Sequence, residues 1–365
     1  MYKSTALLKD LPIWQRRNLF ELVIEITSRC NNNCRHCYIN SPEDDKAIKD
    51  TEMSLGKIKR IIDEAESMGC LYCGLTGGEP LLREDFIDIY LYLKEKGFFV
   101  SVFSNATLFT KEIVDVFLKY PPRVIEVSVY GVTRDTYENV TRKEGSFRAF
   151  ETGLDLLLRS GLRIRLKAMA LRSNLHEIHQ IGAYCRHKTT NLYRFDPFLH
   201  LRYDFNPKSN EGILNERLSP GEIVFLEQQD PERSRAVRQL CQGMSHHQNR
   251  MIDNRIIPCG AGETGMAVSY YGKLQLCASL NEPSTVFDLD KGSIYQAWHE
   301  FVPKIRALRS NVSKTGKCAT CTIINLCYWC PAHAFLEVGR MDMSVDYFCE
   351  VAHARARAFM NKGSL

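Results

Sequence analysis

Apolar and polar positions divide this chain into three stretches. Between Phe20 and about Leu199, short apolar runs alternate with segments of helical period. Glu21–Thr27 is β-rich, and Ser54–Met68 follows with Leu55, Ile58, Ile61, Ile62, Ala65 and Met68 spaced for one helix face. Leu71–Thr76 is a short apolar strand stopped by Gly77-Gly78, and Glu84–Lys96 is a helix ended by Gly97. The same rhythm gives strands at Phe98–Phe103, Val124–Val129, Arg163–Leu171 and Tyr193–Leu199. It gives helices at Lys111–Lys119, Phe147–Arg159 and Leu175–His187. Strands alternating with helices in this way predict parallel pairing with right-handed crossovers. The expected fold class is α/β: a partial (β/α)6 TIM-like barrel, open on one side and able to admit a large substrate.

The rhythm is lost from about residue 202 to 258, a polar bridge with helices expected at Pro220–Gln229 and Glu232–Cys241. After Cys259 the chain is rich in Gly and Cys, with helices expected at Tyr295–Arg309 and Val345–Met360. The expected organisation is an N-terminal extension (1–20), a core barrel (21–200), the bridge (201–258), a small Cys-rich domain (259–350) and a C-terminal helix and tail (351–365).

Composition adds one unusual fact. Of 365 residues, 14 are cysteine, well under the density of a disulfide scaffold and in a chain too long to need staples. The start of the chain lacks a signal-peptide core, and no stretch is long and apolar enough to span a bilayer. The expected location is cytoplasmic, where thiols stay reduced, so metal or redox chemistry is the first explanation for them. The 48 basic and 43 acidic residues form no long single-sign run, so no nucleic-acid or membrane partner is expected.

The thiols cluster. Cys30, Cys34 and Cys37 lie in the loop after the first strand, the end at which α/β barrels carry their active sites. Three thiolates can converge on one iron–sulfur cubane and leave one iron open for chemistry. The competing reading is a three-ligand zinc site or unrelated thiols. Structural zinc wants four closed ligands, and the neighbouring His36 adjoins Cys37 too closely for easy joint ligation. Cys318-x2-Cys321-x5-Cys327-x2-Cys330-Pro331 is a second dense group, flanked by Cys259, Cys277 and Cys349. A zinc ribbon would separate its two halves by about 15–20 residues. Cys70, Cys73 and Cys185 are read as core residues.

The C-x3-C-x2-C triad after the first strand resembles the radical S-adenosylmethionine (SAM) superfamily. Thr76-Gly77-Gly78-Glu79-Pro80, one β-unit later, resembles that family's Gly-Gly-Glu-Pro element. The resemblance implies a [4Fe–4S] cluster on Cys30, Cys34 and Cys37. SAM would be chelated at the open iron and cleaved to a 5′-deoxyadenosyl radical that takes a substrate hydrogen. It implies that Gly77, Gly78 and Glu79 hold the SAM amino group, that Ser104 and Asn105 reach its ribose, that Ser128 and Arg142 bind its carboxylate, and that His36 lies beside its adenine. Ala106 stands where the family often has Gly, and Tyr130 where relatives have Asp. For Ser104, Ser128 and Arg142 the bland alternative is a solvated turn residue.

The C-terminal cysteines resemble the SPASM extension of the same enzymes, with Gly272 between Cys259 and Cys277, although one internal spacing is shorter. By that resemblance Cys318, Cys321, Cys327 and Cys349 hold one auxiliary [4Fe–4S] cluster, and Cys259, Cys277 and Cys330 hold the other. Its fourth ligand is open: Asp253 stands where some relatives have Cys, and Cys241 is distant. SPASM-bearing enzymes mostly modify peptides or proteins. Ala278 replaces the Asp that the sulfatase-maturing branch places after Cys277. The expected function is modification of a ribosomally made peptide. A small-molecule oxidation or rearrangement, and a non-catalytic iron–sulfur electron carrier, are the alternatives. Expected partners are an external low-potential electron donor of flavodoxin or ferredoxin type. With only about 20 residues before the first strand, a leader peptide, if the substrate has one, would need a separate leader-peptide-binding protein.

Overall fold

A computed structural model describes residues 18–191, 193–242, 255–310, 318 and 321–360. Six parallel strands lie side by side in chain order: β1 Glu21–Thr27, β2 Tyr72–Gly77, β3 Phe99–Ser104, β4 Val124–Ser128, β5 Ile164–Met169 and β6 Arg194–Asp196. Along β1 the residues alternate. Leu22, Ile24 and Ile26 are fully buried in the main core, while Val23, Glu25 and Thr27 face the other way, into the concave side. The helices that return the chain bury one face each. α1 (Leu55–Ser67) is capped by the Ser54 hydroxyl, which accepts from Lys57 N, and buries Ile58, Ile61, Ile62 and Ala65. α2 (Phe86–Glu95) and α3 (Lys111–Lys119) repeat the pattern.

The sheet stays open. β6 is one edge, and it is shorter than the expected Tyr193–Leu199 because Pro197 has no N–H to continue the ladder. At the other end, three strands from the Cys-rich region extend the sheet. β7 (Gly265–Val268) runs parallel to β1, pairing Glu21 with Gly265 through Ile24 with Val268. β8 (Lys273–Gln275) and β9 (Phe287–Asp288) follow antiparallel. The fold is thus a partial (β/α)6 barrel whose first strand also carries the hairpin from the C-terminal region. Those three strands are too short for periodicity to reveal.

Other departures have local causes. Helix α4 (Arg134–Thr141) was not expected from the sequence, because its only apolar side chains are Tyr137 and Val140, both fully buried. It precedes α5 (Ser146–Ser160). The Leu175–His187 helix opens as a 3₁₀ turn, Arg172–Glu177, before α6 (Ile178–Lys188). Among its described residues the bridge holds three helices rather than two: α7 (Pro207–Asn215), α8 (Pro220–Gln229) and α9 (Pro231–Gln242). The Tyr295–Arg309 segment carries a π turn, Ala297–Phe301, just ahead of Pro303, which removes a helical donor. An unexpected helix, α10 (Pro331–Val338), starts directly after Cys330, and α11 (Asp346–Phe359) closes the described chain. Cys70, Cys73 and Cys185 are buried core residues, as expected, and none of the 14 cysteines is in a disulfide. Among the described residues no helix is long and apolar enough to cross a membrane.

Candidate active site

The Cys30–Cys37 loop leaves the end of β1 and is fixed from three sides. The base of the loop rests on buried charge. Arg29 Nε donates to Glu52 Oε1 at 2.8 Å, and Arg83 donates to the Ile26 and Met53 carbonyls at 2.9 and 3.0 Å. From β2, Gly78 N donates to Thr27 O (2.8 Å) and Glu79 N to Arg29 O (2.9 Å). The third side is the end of α4, where Asn33 N reaches Thr141 O at 2.9 Å and Arg35 N reaches Val140 O at 3.0 Å.

These contacts revise the reason for the two glycines. A Cβ at Gly77, whose φ is +147°, would lie 2.1 Å from Thr27 O, and one at Gly78 2.2 Å from Arg29 O. The close approach they permit is to the backbone that launches the cysteine loop. Gly78→Ala is therefore expected to destabilise the protein by about 1–3 kcal/mol, as overpacking does. It should also lower iron incorporation at Cys30, Cys34 and Cys37, measured by iron content after anaerobic reconstitution. Unchanged iron would show that the loop tolerates displacement.

Glu79 is fully buried, with Ser104 Oγ donating to Oε1 at 2.9 Å and Asn105 N to Oε2 at 2.7 Å. Burial raises its carboxyl to about 7. Ser104 and Asn105 are buried rather than solvated. Asn105 Nδ2 also donates to Asn31 Oδ1 (2.9 Å) and lies 3.7 Å from Cys30 Sγ. Ala106 holds φ +66°, the backbone form that explains a glycine preference there. Ser128 is half-buried at the end of β4. Arg142 is exposed, and its guanidinium grips Asn33 O (2.6 Å) and Asn33 Oδ1 (2.7 Å). In this structure it clamps the cysteine loop. The His36 ring packs edge-on to Tyr130 at 5.2 Å, and burial lowers its pKa to about 4, so the ring is neutral.

Beyond burial, Cys37 adds to the rise at Cys30 and Cys34, and Cys30 to that at Cys34. Burial drives Cys30 up to about 12 and Cys34 and Cys37 upward as well. Thiols this far above neutrality become thiolates only against a cation, so cluster insertion must release their protons. Two donors, Asn32 N at 3.4 Å and Asn105 Nδ2, already aim at Cys30 Sγ. Three free cysteines on one loop, with no fourth thiol beside them on that loop, are the donor set of a [4Fe–4S] cluster that keeps one iron open, and the residues fit that group.

The C-terminal cysteines gather in two groups. Cys277 feels Cys330 and Cys259, while Cys327 feels Cys349, Cys318 and Cys321. Cys241 lies on α9, and its thiol is felt by Arg238 and Arg355 rather than by another cysteine. Asp253 falls outside the described residues. The Cys277 group adjoins the Cys37 side of the barrel through side chains that the sequence did not single out. The Tyr203 hydroxyl donates to Ala278 O at 2.6 Å, Ser279 Oγ lies 3.4 Å from His200 Nε2, and Tyr38 packs on Tyr203 with ring centres 5.1 Å apart.

Comparison with known proteins agrees with this geometry. The radical SAM superfamily profile matches residues 24–182. The AdoMet-dependent heme synthase of Methanosarcina barkeri is 25% identical over 336 residues, 86% of this chain and 92% of its own length. The antilisterial bacteriocin subtilosin biosynthesis protein AlbA of Bacillus subtilis is 22% identical over 83% of this chain and 67% of its own. Streptococcus suis SuiB, solved with S-adenosylmethionine, superposes with a TM-score of 0.68 at 17% identity, covering 94% of this chain and 80% of SuiB. With the cysteine loop, the Gly-Gly-Glu-Pro turn and the open parallel barrel in place, residues 24–182 form a radical SAM domain, the core of an iron–sulfur enzyme.

Proposed function

We propose that this enzyme modifies a ribosomally made peptide or protein. The cluster held by Cys30, Cys34 and Cys37, together with SAM, supplies a 5′-deoxyadenosyl radical that abstracts a substrate hydrogen. Around it the chain's own residues act as positioners. Glu79 accepts the SAM ammonium group, Ser104 and Asn105 fix Glu79 and reach the ribose, Ser128 and Arg142 take the carboxylate, and His36 sits beside the adenine. Cys318, Cys321, Cys327 and Cys349 hold one auxiliary cluster, and Cys259, Cys277 and Cys330 the other. A flavodoxin- or ferredoxin-type donor in the cytoplasm reduces them, and a separate protein presents the leader peptide.

The observation that supports a peptide is the open sheet. β6 ends it after three residues, which leaves the concave side accessible to a chain too long to fit a closed barrel. AlbA, a bacteriocin biosynthesis protein, and SuiB, also solved with its precursor peptide SuiA, support the same reading. The match to heme synthase over 92% of that protein supports a second reading, oxidation or rearrangement of a small molecule. The test is anaerobic reconstitution with SAM and dithionite, then incubation with each short peptide encoded beside the gene and, separately, with Fe-coproporphyrin III. The expected result is 5′-deoxyadenosine formation together with loss of hydrogen from a peptide by mass spectrometry. Turnover of the porphyrin alone would replace the peptide reading, and absence of 5′-deoxyadenosine would overturn both.

A further inference from the structure

Most buried carboxylates in the core are well satisfied. Glu79 has three donors, Glu126 has Arg165 and Lys167, Glu177 has Thr133, Thr136 and a backbone N–H, and Glu227 has Arg355 and Arg233. Glu25 departs from this pattern. It is 5% exposed, its Oε1 is buried without any hydrogen-bond partner, and no cation among the described residues pairs with it. A buried carboxylate without a partner is costly, and a bound group that donates to it or carries a positive charge would offset that cost.

Its surroundings indicate what that group is. Glu25 points to the concave side of β1, on the face opposite Ile24 and Ile26. Burial raises the hydroxyl pKa of Tyr38, Tyr203 and Tyr271 and the thiol pKa of Cys37, and the Glu25 charge adds to each, so these groups share its neighbourhood. Tyr38 and Tyr203 pack at 5.1 Å, and Tyr271 is in the turn between β7 and β8. All three rings are only partly buried. Arg202, whose charge is felt at Cys37, is already committed to Asp204 and to Asn40. The wall between Cys37 and Cys277 thus presents one unpaired carboxylate and three electron-rich rings. That combination favours an organic cation, through the carboxylate and the ring faces together.

We propose that Glu25, Tyr38, Tyr203 and Tyr271 form a binding site for an ammonium or guanidinium group of the substrate. On the peptide reading above, on which this rests, the site takes a Lys or Arg side chain near the residue being modified. Burial raises the Glu25 carboxyl to about 7, so a bound cation would also draw it toward its charged form.

The test uses the full-length, reconstituted enzyme with SAM and three probes: N-acetyl-lysine methylamide, N-acetyl-arginine methylamide and the neutral N-acetyl-norleucine methylamide. Binding is followed by calorimetry. A cationic probe should bind at least about tenfold more tightly than norleucine. Glu25→Gln, close to isosteric, should erase that preference, and Tyr271→Leu should weaken it while leaving the carboxylate in place. Equal binding of all three probes, or a preference that survives in both variants, overturns the site. SAM cleavage by the wild-type enzyme is scored separately. Its absence would refute the functional reading, whereas cleavage without cation preference would refute only this inference.

Discussion

Protein carrying Cys30→Ala, Cys34→Ala and Cys37→Ala together is expected to form no 5′-deoxyadenosine above background while keeping its auxiliary iron. The three sulfurs sit on one loop after β1, and the donors to Cys30 Sγ, Asn32 N and Asn105 Nδ2, belong to the same end of the barrel. Cys327 and its neighbours belong to a different part of the chain, held by α9 and α11. Removing the triad deletes buried thiols that are neutral in the apoprotein, so no uncompensated charge is created and the fold should survive. Iron content and the visible absorption of the reconstituted variant measure what remains. If the variant loses all iron, the sites depend on one another and the division into separate groups is wrong. If it retains SAM cleavage, the cluster that cleaves SAM is elsewhere.

How far this site was legible in the sequence depends on the range of the interactions concerned. Strand β1 and helix α3 have the bounds that their patterns predicted, because an apolar run and a capped 3.6-residue period are local properties. The cysteine triad was legible for the same reason, since one short loop sets its spacing. The partners of the triad were not legible. Helix α4, with a nearly all-polar sequence, supplies the carbonyls that fix Asn33 and Arg35, and no periodic signal announced it. Gly77 and Gly78 were noticed, but their need for space comes from the Thr27–Arg29 backbone, which only strand pairing brings within reach. Glu25 shows the limit most clearly. Alternation in Glu21–Thr27 assigns it to the face opposite Ile24, yet nothing local reveals that the residues arriving opposite it, from positions 38, 203 and 271, bring rings and no cation. The β7–β9 extension was missed because four-, three- and two-residue strands carry too few alternations to register.

The second large effect is expected at Arg355, far from the chemistry. Arg355 is 1% exposed on α11, and it joins three elements. Its Nε donates to Glu227 Oε2 on α8 at 2.8 Å, a second nitrogen donates to Oε1, and the third reaches Leu326 O at 3.0 Å, between Cys321 and Cys327. The guanidinium also lies over the Tyr328 ring at 4.4 Å. Arg355→Met removes the charge and leaves Glu227, which is fully buried, with Arg233 alone at 3.3 Å. Breaking a buried pair on one side costs about 3–5 kcal/mol, because the abandoned charge stays desolvated. Arg233 holds the loss towards the lower end. The Leu326 carbonyl loses its donor at the same time, so the cluster proposed for Cys318, Cys321, Cys327 and Cys349 should lose iron to a chelator more readily. The cost lies in the stranded carboxylate rather than in lost packing, and a double variant tests that distinction. Arg355→Met with Glu227→Leu should recover most of the thermal midpoint, since an apolar pair of similar volume is often as stable as the ion pair it replaces. A single variant as stable as wild type would mean that water reaches Glu227. A double variant no better than the single would mean that the Leu326 contact, not the ion pair, holds this end of the molecule together.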